Sequence, residues 1–197
     1  MSISVTTPLL WIGLACGACG SVATSPDGDM RAVACNGGPV DVLKNGNFDG
    51  TDPPWRQEPP ALLCGQPRIT PDSGAASGCL GGGGDGSVNT LSIGVALPAG
   101  AASARLTGRI CIDTTETAAL DNDIVTFDIL DGLAPIGALG RRTNQQGVVG
   151  CQFTSFMLEA PLTSDPPTAT FRIQSVLNVG KPTSFYIDTL ALAVACR

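Results

Sequence analysis

The segment from Ser103 to Ile112 alternates, with Ala104, Leu106, Ile110 and Ile112 on one face and Arg105, Thr107, Arg109 and Cys111 on the other. Successive side chains of a strand point to opposite faces, so a period of two marks a half-buried strand. Asp123 to Ile129 repeats the pattern, with Val125, Phe127 and Ile129 on one side. So does Thr170 to Gln174, with Phe171 and Ile173 inward and Arg172 and Gln174 outward. The last segment, Ser184 to Cys196, begins with Phe185 and Ile187 inward and then shifts to Leu190, Leu192 and Val194. One extra residue near Asp188 and Thr189, a β-bulge, produces that shift. Turn signals separate the runs: Leu97-Pro98-Ala99-Gly100, Asp131-Gly132, Asp165-Pro166-Pro167 and Gly180-Lys181-Pro182. The chain carries 25 Gly and 15 Pro, a load suited to short strands joined by many turns. No long helical pattern and no internal repeat interrupts. Such a chain makes a β-sandwich or a barrel.

Length and charge narrow the function classes. At 197 residues the chain has room for one domain with a real core. Apolar residues are 43% and charged residues 14%, the reverse of a disordered tail. The net charge is −6 and no basic run occurs, which excludes a nucleic-acid partner. Histidine is absent, which removes Ser-His-Asp and Cys-His catalysis and His metal sites. Gly81 to Gly86 lacks the Lys-Ser/Thr pair of a phosphate loop and reads as a turn. The glutamates are Glu58, beside Pro59-Pro60, Glu116, in a Thr-rich loop, and Glu159. They read as solubilising carboxylates, not as a hydrolytic pair, so the expectation is a protein that is not an enzyme.

Pro8 to Cys19 reads PLLWIGLACGAC. A membrane span needs roughly 20 apolar residues, and this run suits the shorter core of an export signal. No Lys or Arg precedes Arg31, so either the free amino terminus supplies the positive charge or the signal starts upstream. The end of the segment resembles a degenerate bacterial lipobox in two frames, ending at Cys16 or Cys19. Cleavage before a lipidated Cys19 leaves Cys35, Cys64, Cys79, Cys111, Cys151 and Cys196, an even set for pairing outside the cytoplasm. Cleavage before Cys16 would strand one thiol. Parity therefore selects Cys19, against a conventional secretory signal without lipid. The expected division is 1–19 export signal, 20–38 tether and 39–197 sandwich. The expected location is the bacterial cell envelope, lipid-anchored, or the exterior by secretion. The membrane would be touched only through the lipid.

Leu43-Lys44-Asn45-Gly46-Asn47-Phe48-Asp49-Gly50 followed by Trp55 resembles the opening strand and loop of galactose-binding-like jelly rolls, which include carbohydrate-binding modules. Cys79-Leu80-Gly81-Gly82, Val95 to Ala101, Ile112 to Thr117 before Asp123-Ile124-Val125, and Pro182 to Leu190 resemble the accessory modules at the C-terminal ends of secreted bacterial peptidases. The resemblance runs in order over about residues 40 to 195. It implies an all-β, jelly-roll-like antiparallel β-sandwich, here stapled by disulfides. It also implies a non-catalytic module that binds glycan or protein at the cell surface, the alternative being a purely structural envelope lipoprotein. By family position, Asp49 and Asp188 are the candidates to hold a structural Ca²⁺. The family's second consecutive acidic residue is replaced here by Thr189.

The candidate ligand-binding residues are the aromatics Trp55 and Tyr186, able to stack on sugar faces, and the polar outer strand residues Arg105, Arg109, Arg172 and Gln174, with Asp128 beside them. For the thiols we expect Cys64 with Cys79 across a short turn-rich stretch. Cys111, on an outer strand face, is expected with Cys151. Cys35 is expected with Cys196, because the first and last strands of a jelly roll lie side by side.

Overall fold

The alternating segment around Leu106 lies within a 14-residue strand, Ala101–Thr114, in a computed structural model. The structure describes residues 35, 38–50, 54–59, 69–82, 86–117 and 122–197. The export signal, Cys19, Cys64 and nearly all of the tether lie outside the described residues. Within them the strands are β1 (Val40–Asp41), β2 (Arg56–Glu58), β3 (Gly78–Gly81), β4 (Val88–Ala96), β5 (Ala101–Thr114), β6 (Ile124–Asp131), β7 (Ala134–Thr143), β8 (Thr154–Pro161), β9 (Thr168–Val176) and β10 (Thr183–Cys196). A 3-10 turn, Asn144–Gln146, follows β7.

The strands form two antiparallel sheets. One runs β1-β10-β5-β8, with β3 also on β10; the other runs β2-β4-β9-β6-β7. From β4 onward nearly every connection passes from one sheet to the other, and only the β6–β7 hairpin stays within its own. This weave is the jelly-roll arrangement expected from the sequence. It sends neighbouring stretches of chain to opposite faces of the molecule.

The core fills the space between the sheets. Val125, Phe127, Ile129, Phe171, Ile173, Phe185, Ile187, Leu192 and Val194 are fully buried there, on the faces that alternation assigns them. Each contributes about 1.5–3 kcal/mol by leaving water. The expected bulge is present: the β10–β5 register shifts between Asp188 and Ala191. Thr189 takes a φ of 52° at that point, an unusual backbone for a β-branched residue. The bulge turns Leu190 back toward the core, and the Leu190 N–H bonds the Gly46 carbonyl at 2.9 Å. A Cβ on Gly46 would collide with the Leu190 carbonyl oxygen, so this close approach requires glycine.

A second, smaller cluster sits outside the first sheet, where Cys79, Cys111, Cys151 and Tyr186 are buried with Ile69 and Phe153 against them. Cys35 is bonded to Cys196 and Cys111 to Cys151, as expected. Cys79 is also disulfide-bonded; the expected partner, Cys64, is outside the described residues. β1 lies against β10 through Val40 opposite Val194, the side-by-side placement behind the Cys35–Cys196 pairing.

Candidate functional site

The expected polar surface divides in two. Arg105 and Arg109 project from β5 on the first sheet, whereas Asp128, Arg172 and Gln174 project from β6 and β9 on the second. The weave that separates β5 from β9 puts them on opposite outer faces, so they form no common site. Each is also engaged locally. Arg105 pairs with Glu159 at 3.0 Å, both half exposed, a geometry worth well under about 1 kcal/mol. Arg172 pairs with Asp128 at 3.0 Å, and Gln174 reaches Thr90 at 3.4 Å. Arg109 bonds Asp72, the Phe153 carbonyl and Ser155, all within 3.0 Å, and ties the 69–73 segment to the sheet.

The aromatic candidates are also spoken for. Trp55 stacks on Phe48 with ring centroids 4.7 Å apart and meets the edge of Phe171 at 6.1 Å. Its indole N–H bonds the Asn45 carbonyl at 2.9 Å. It is a packing residue at the margin of the core. Tyr186 does point away from the main core, but it is only 2% exposed because the cysteine cluster covers it. It offers no platform to a sugar. Among the described residues no aromatic side chain is exposed.

Asp49 and Asp188 both close on the 73–76 segment. Asp188, fully buried, accepts the Ser73 N–H (2.9 Å), the Ser73 hydroxyl (3.2 Å) and the Thr189 N–H (2.6 Å). Asp49 accepts the N–H groups of Ala75 and Ala76 at 2.7 and 2.9 Å and the Asn47 amide at 3.1 Å. Ca²⁺ takes about six to eight oxygen ligands. The groups facing these two carboxylates are N–H and O–H donors, so the residues present do not fit that shell. They act as a latch that holds one loop to β10. Among the described residues no group of three or more His, Cys, Asp or Glu surrounds a common point.

The concave feature lies elsewhere. A cleft of about 650 Å³ opens between β7 of one sheet and β8 of the other. Its floor is Ile110, Ile112 and Phe156; Arg142, Gln146, Gln152 and Thr154 rim it. The Arg142 guanidinium lies 5.7 Å from the Phe156 ring centroid, within cation–π range. β8 stops pairing with β5 at Ile110, and the connection 147–153 takes over that edge. Val148 donates to the Ile112 carbonyl at 3.1 Å, Gly150 donates to Asp113 at 2.9 Å, and Cys151 is bonded to Cys111. This connection walls the cleft. A second cleft of about 540 Å³, lined by Ile69–Asp72, Arg109 and Phe153, lies on its other side. An apolar floor with a few planar polar groups at the rim is the usual make-up of a small-ligand site. No carboxylate, lysine or free thiol lines the first cleft among the described residues; its hydroxyl groups are those of Thr154 and Ser155.

None of the six ligand residues expected from the sequence lines this first cleft. The available signal was the concentration of guanidinium and amide groups from Arg141 to Gln152, in a stretch whose alternation is poor.

No protein-family model and no curated protein matches the chain. Solved structures do. A carbohydrate-binding module, TmCBM61, in complex with beta-1,4-galactotriose, superposes with a TM-score of 0.51 at 15% identity, over 78% of this chain and 97% of that one. A Stig cyclase, Fisc from Fischerella sp. TAU, in complex with (3Z)-3-(1-methyl-2-pyrrolidinylidene)-3H-indole, gives a TM-score of 0.53 at 12% identity, over 80% and 98%. The chain therefore has the jelly-roll fold of carbohydrate-binding modules. That fold holds a sugar in one of these proteins and a cyclase ligand in the other, so function must be argued from the site.

Proposed function

We propose that the chain is a non-catalytic glycan-binding module that works outside the cytoplasm, held at the bacterial envelope by lipid on Cys19 or secreted. The observation that carries the reading is the cleft between β7 and β8. Its floor is closed by the core residues Ile110, Ile112 and Phe156, and its rim presents the exposed Gln152 beside Arg142 and Gln146 to the hydroxyls of a sugar. Among the described residues its lining holds no carboxylate or lysine, which supports binding without catalysis. The disulfides support an oxidising compartment. The rival reading, a structural envelope protein, draws on the two outer sheet faces, where no described aromatic is exposed.

A glycan array on the purified chain, followed by calorimetry with the best ligand, tests this. Gln152→Ala and Arg142→Ala should each weaken binding at least tenfold while leaving the melting temperature within a few degrees. Gln152 is exposed, so its variant folds without a core penalty. An array with no binder favours the structural reading. Binding untouched by both substitutions removes the cleft as the site.

A further inference from the structure

At the end of the sandwich where β6 begins, the inward-facing layer turns polar. Asp123 lies two residues before Val125, on the same face, and Ser175 faces Val125 across the β6–β9 ladder. Asn89 faces Ser175 across β4–β9. Asp123, Ser175 and Asn89 are at most 1% exposed. Asp123 accepts the Asn178 N–H on Oδ1 at 2.9 Å, but its Oδ2 is shut off from solvent and has no partner. The Ser175 hydroxyl and Asn178 Oδ1 are likewise buried and unpartnered.

A second carboxylate approaches the same place. Asn144 donates to Glu116 Oε2 at 2.6 Å, while its amide oxygen accepts the N–H groups of Asn122 and Asp123 at 3.2 and 3.4 Å. One side chain thus bridges Glu116 to the Asp123 backbone. A Cβ built on Gly180 would sit 3.2 Å from Glu116 Oε1 and 3.4 Å from Asn178 Oδ1, so both oxygens flank the same glycine. Lys181, the basic residue beside that glycine, donates to the Thr115 carbonyl at 3.3 Å. A buried carboxylate oxygen lacking both a donor and a counter-charge is costly, and such a group calls for an ion or water.

We propose that Asp123, Glu116 and Asn178 hold a hard divalent cation, Ca²⁺ by its chemistry, at this end of the sandwich. Two carboxylates, an amide oxygen and a neighbouring hydroxyl make an all-oxygen donor set, as a hard cation prefers. The contrast with Asp49 and Asp188 is direct, because their oxygens are already filled by N–H and O–H donors. The proposal is independent of the glycan reading.

Calorimetric titration of the chelator-stripped full chain, disulfides intact, is the test. One Ca²⁺ should bind per chain and raise the melting temperature. Asp123→Asn keeps an acceptor for the Asn178 N–H and should weaken Ca²⁺ at least tenfold. Glu116→Gln, on a half-buried residue, should do the same, and decides the matter should Asp123→Asn not fold. Asp49→Asn should leave the affinity within about twofold. No binding by the wild-type chain overturns the proposal and leaves the layer to water alone. Ca²⁺ binding undiminished in the folded variants, or abolished by Asp49→Asn, overturns it equally.

Discussion

Asp188→Ala separates a hydrogen-bonded latch from a metal ligand. The carboxylate is fully buried and accepts three hydrogen bonds, two of them from backbone N–H groups. The third donor, the Ser73 hydroxyl, can turn to the Thr189 hydroxyl 3.1 Å away, so only two bonds are counted as lost. A hydrogen bond to a charged group contributes about 1.5–3 kcal/mol, which puts the loss of two at about 3–6 kcal/mol. For a domain of this size each kcal/mol shifts Tm by about 2–4 °C, so the fall is on the order of 10 °C. Scanning calorimetry in excess chelator and again in millimolar Ca²⁺ should give the same fall in both buffers, and the variant should keep whatever response to Ca²⁺ the wild type shows. A variant that loses the Ca²⁺ response, or a fall seen only with Ca²⁺ present, refutes the reasoning and makes Asp188 a metal ligand.

Removing the Cys35–Cys196 bridge by Cys35→Ser with Cys196→Ser releases a loop of 161 residues, which chain entropy puts at about 5 kcal/mol; urea denaturation should show the midpoint falling accordingly. Phe171→Ala opens a cavity at a fully buried position and should cost about 3–5 kcal/mol, with the m-value unchanged. Cys111→Ser with Cys151→Ser should weaken glycan binding in calorimetry although the chain stays folded, and unchanged affinity would mean that the bond does not shape the cleft. Cys19→Ala should abolish metabolic labelling with a clickable palmitate, whereas equal labelling of wild type and variant removes the lipid assignment.

The strands that alternate cleanly were legible because one face of each meets the core. Val125, Phe127 and Ile129 mark β6, Phe171 and Ile173 mark β9, and the parity change after Ile187 marks the bulge of β10. β4 alternates as well, through Leu91, Ile93 and Val95, but its inward row ends on Asn89, which breaks the pattern where the polar layer begins. β7 and β8 are edge strands and read poorly. Gly137 and Gly140 interrupt β7, whose pairing with β6 shifts register twice. β8 exposes Met157, which breaks its apolar alternation. The cleft lies between these two strands, so the weakest part of the pattern surrounds it. The ligand residues expected from the sequence divide over two surfaces for one cause: alternation tells inside from outside but not which of two outer faces a residue occupies. Tyr186 was correctly placed off the core, but its burial depends on cysteines distant in sequence.

Those cysteines do different jobs that the fold keeps apart. The Cys35–Cys196 bond joins the start of the described chain to the last strand, beside a β1–β10 ladder of only two residue pairs, and so secures a pairing too short to hold alone. The Cys111–Cys151 bond acts on a connection with no strand of its own. From Gly147 to Phe153 the chain has a single parallel bridge, Asp113 with Val148, and it leaves Val148 and Val149 62% and 71% exposed. The hydrogen bonds of Gly147, Val148, Gly150 and Phe153, at about 1 kcal/mol each, would not keep such a segment ordered against the loss of backbone freedom, about 1–2 kcal/mol at each residue. The covalent link, which closes a loop across 40 residues, removes chain entropy worth about 4 kcal/mol and anchors the segment independently of any ligand. A wall already in place need not be ordered during binding, so more of the contact energy can appear as affinity. The same bond presses Cys151 onto the Tyr186 cluster, so the fixed wall of the cleft and the burial of the sheet's outer face have one cause.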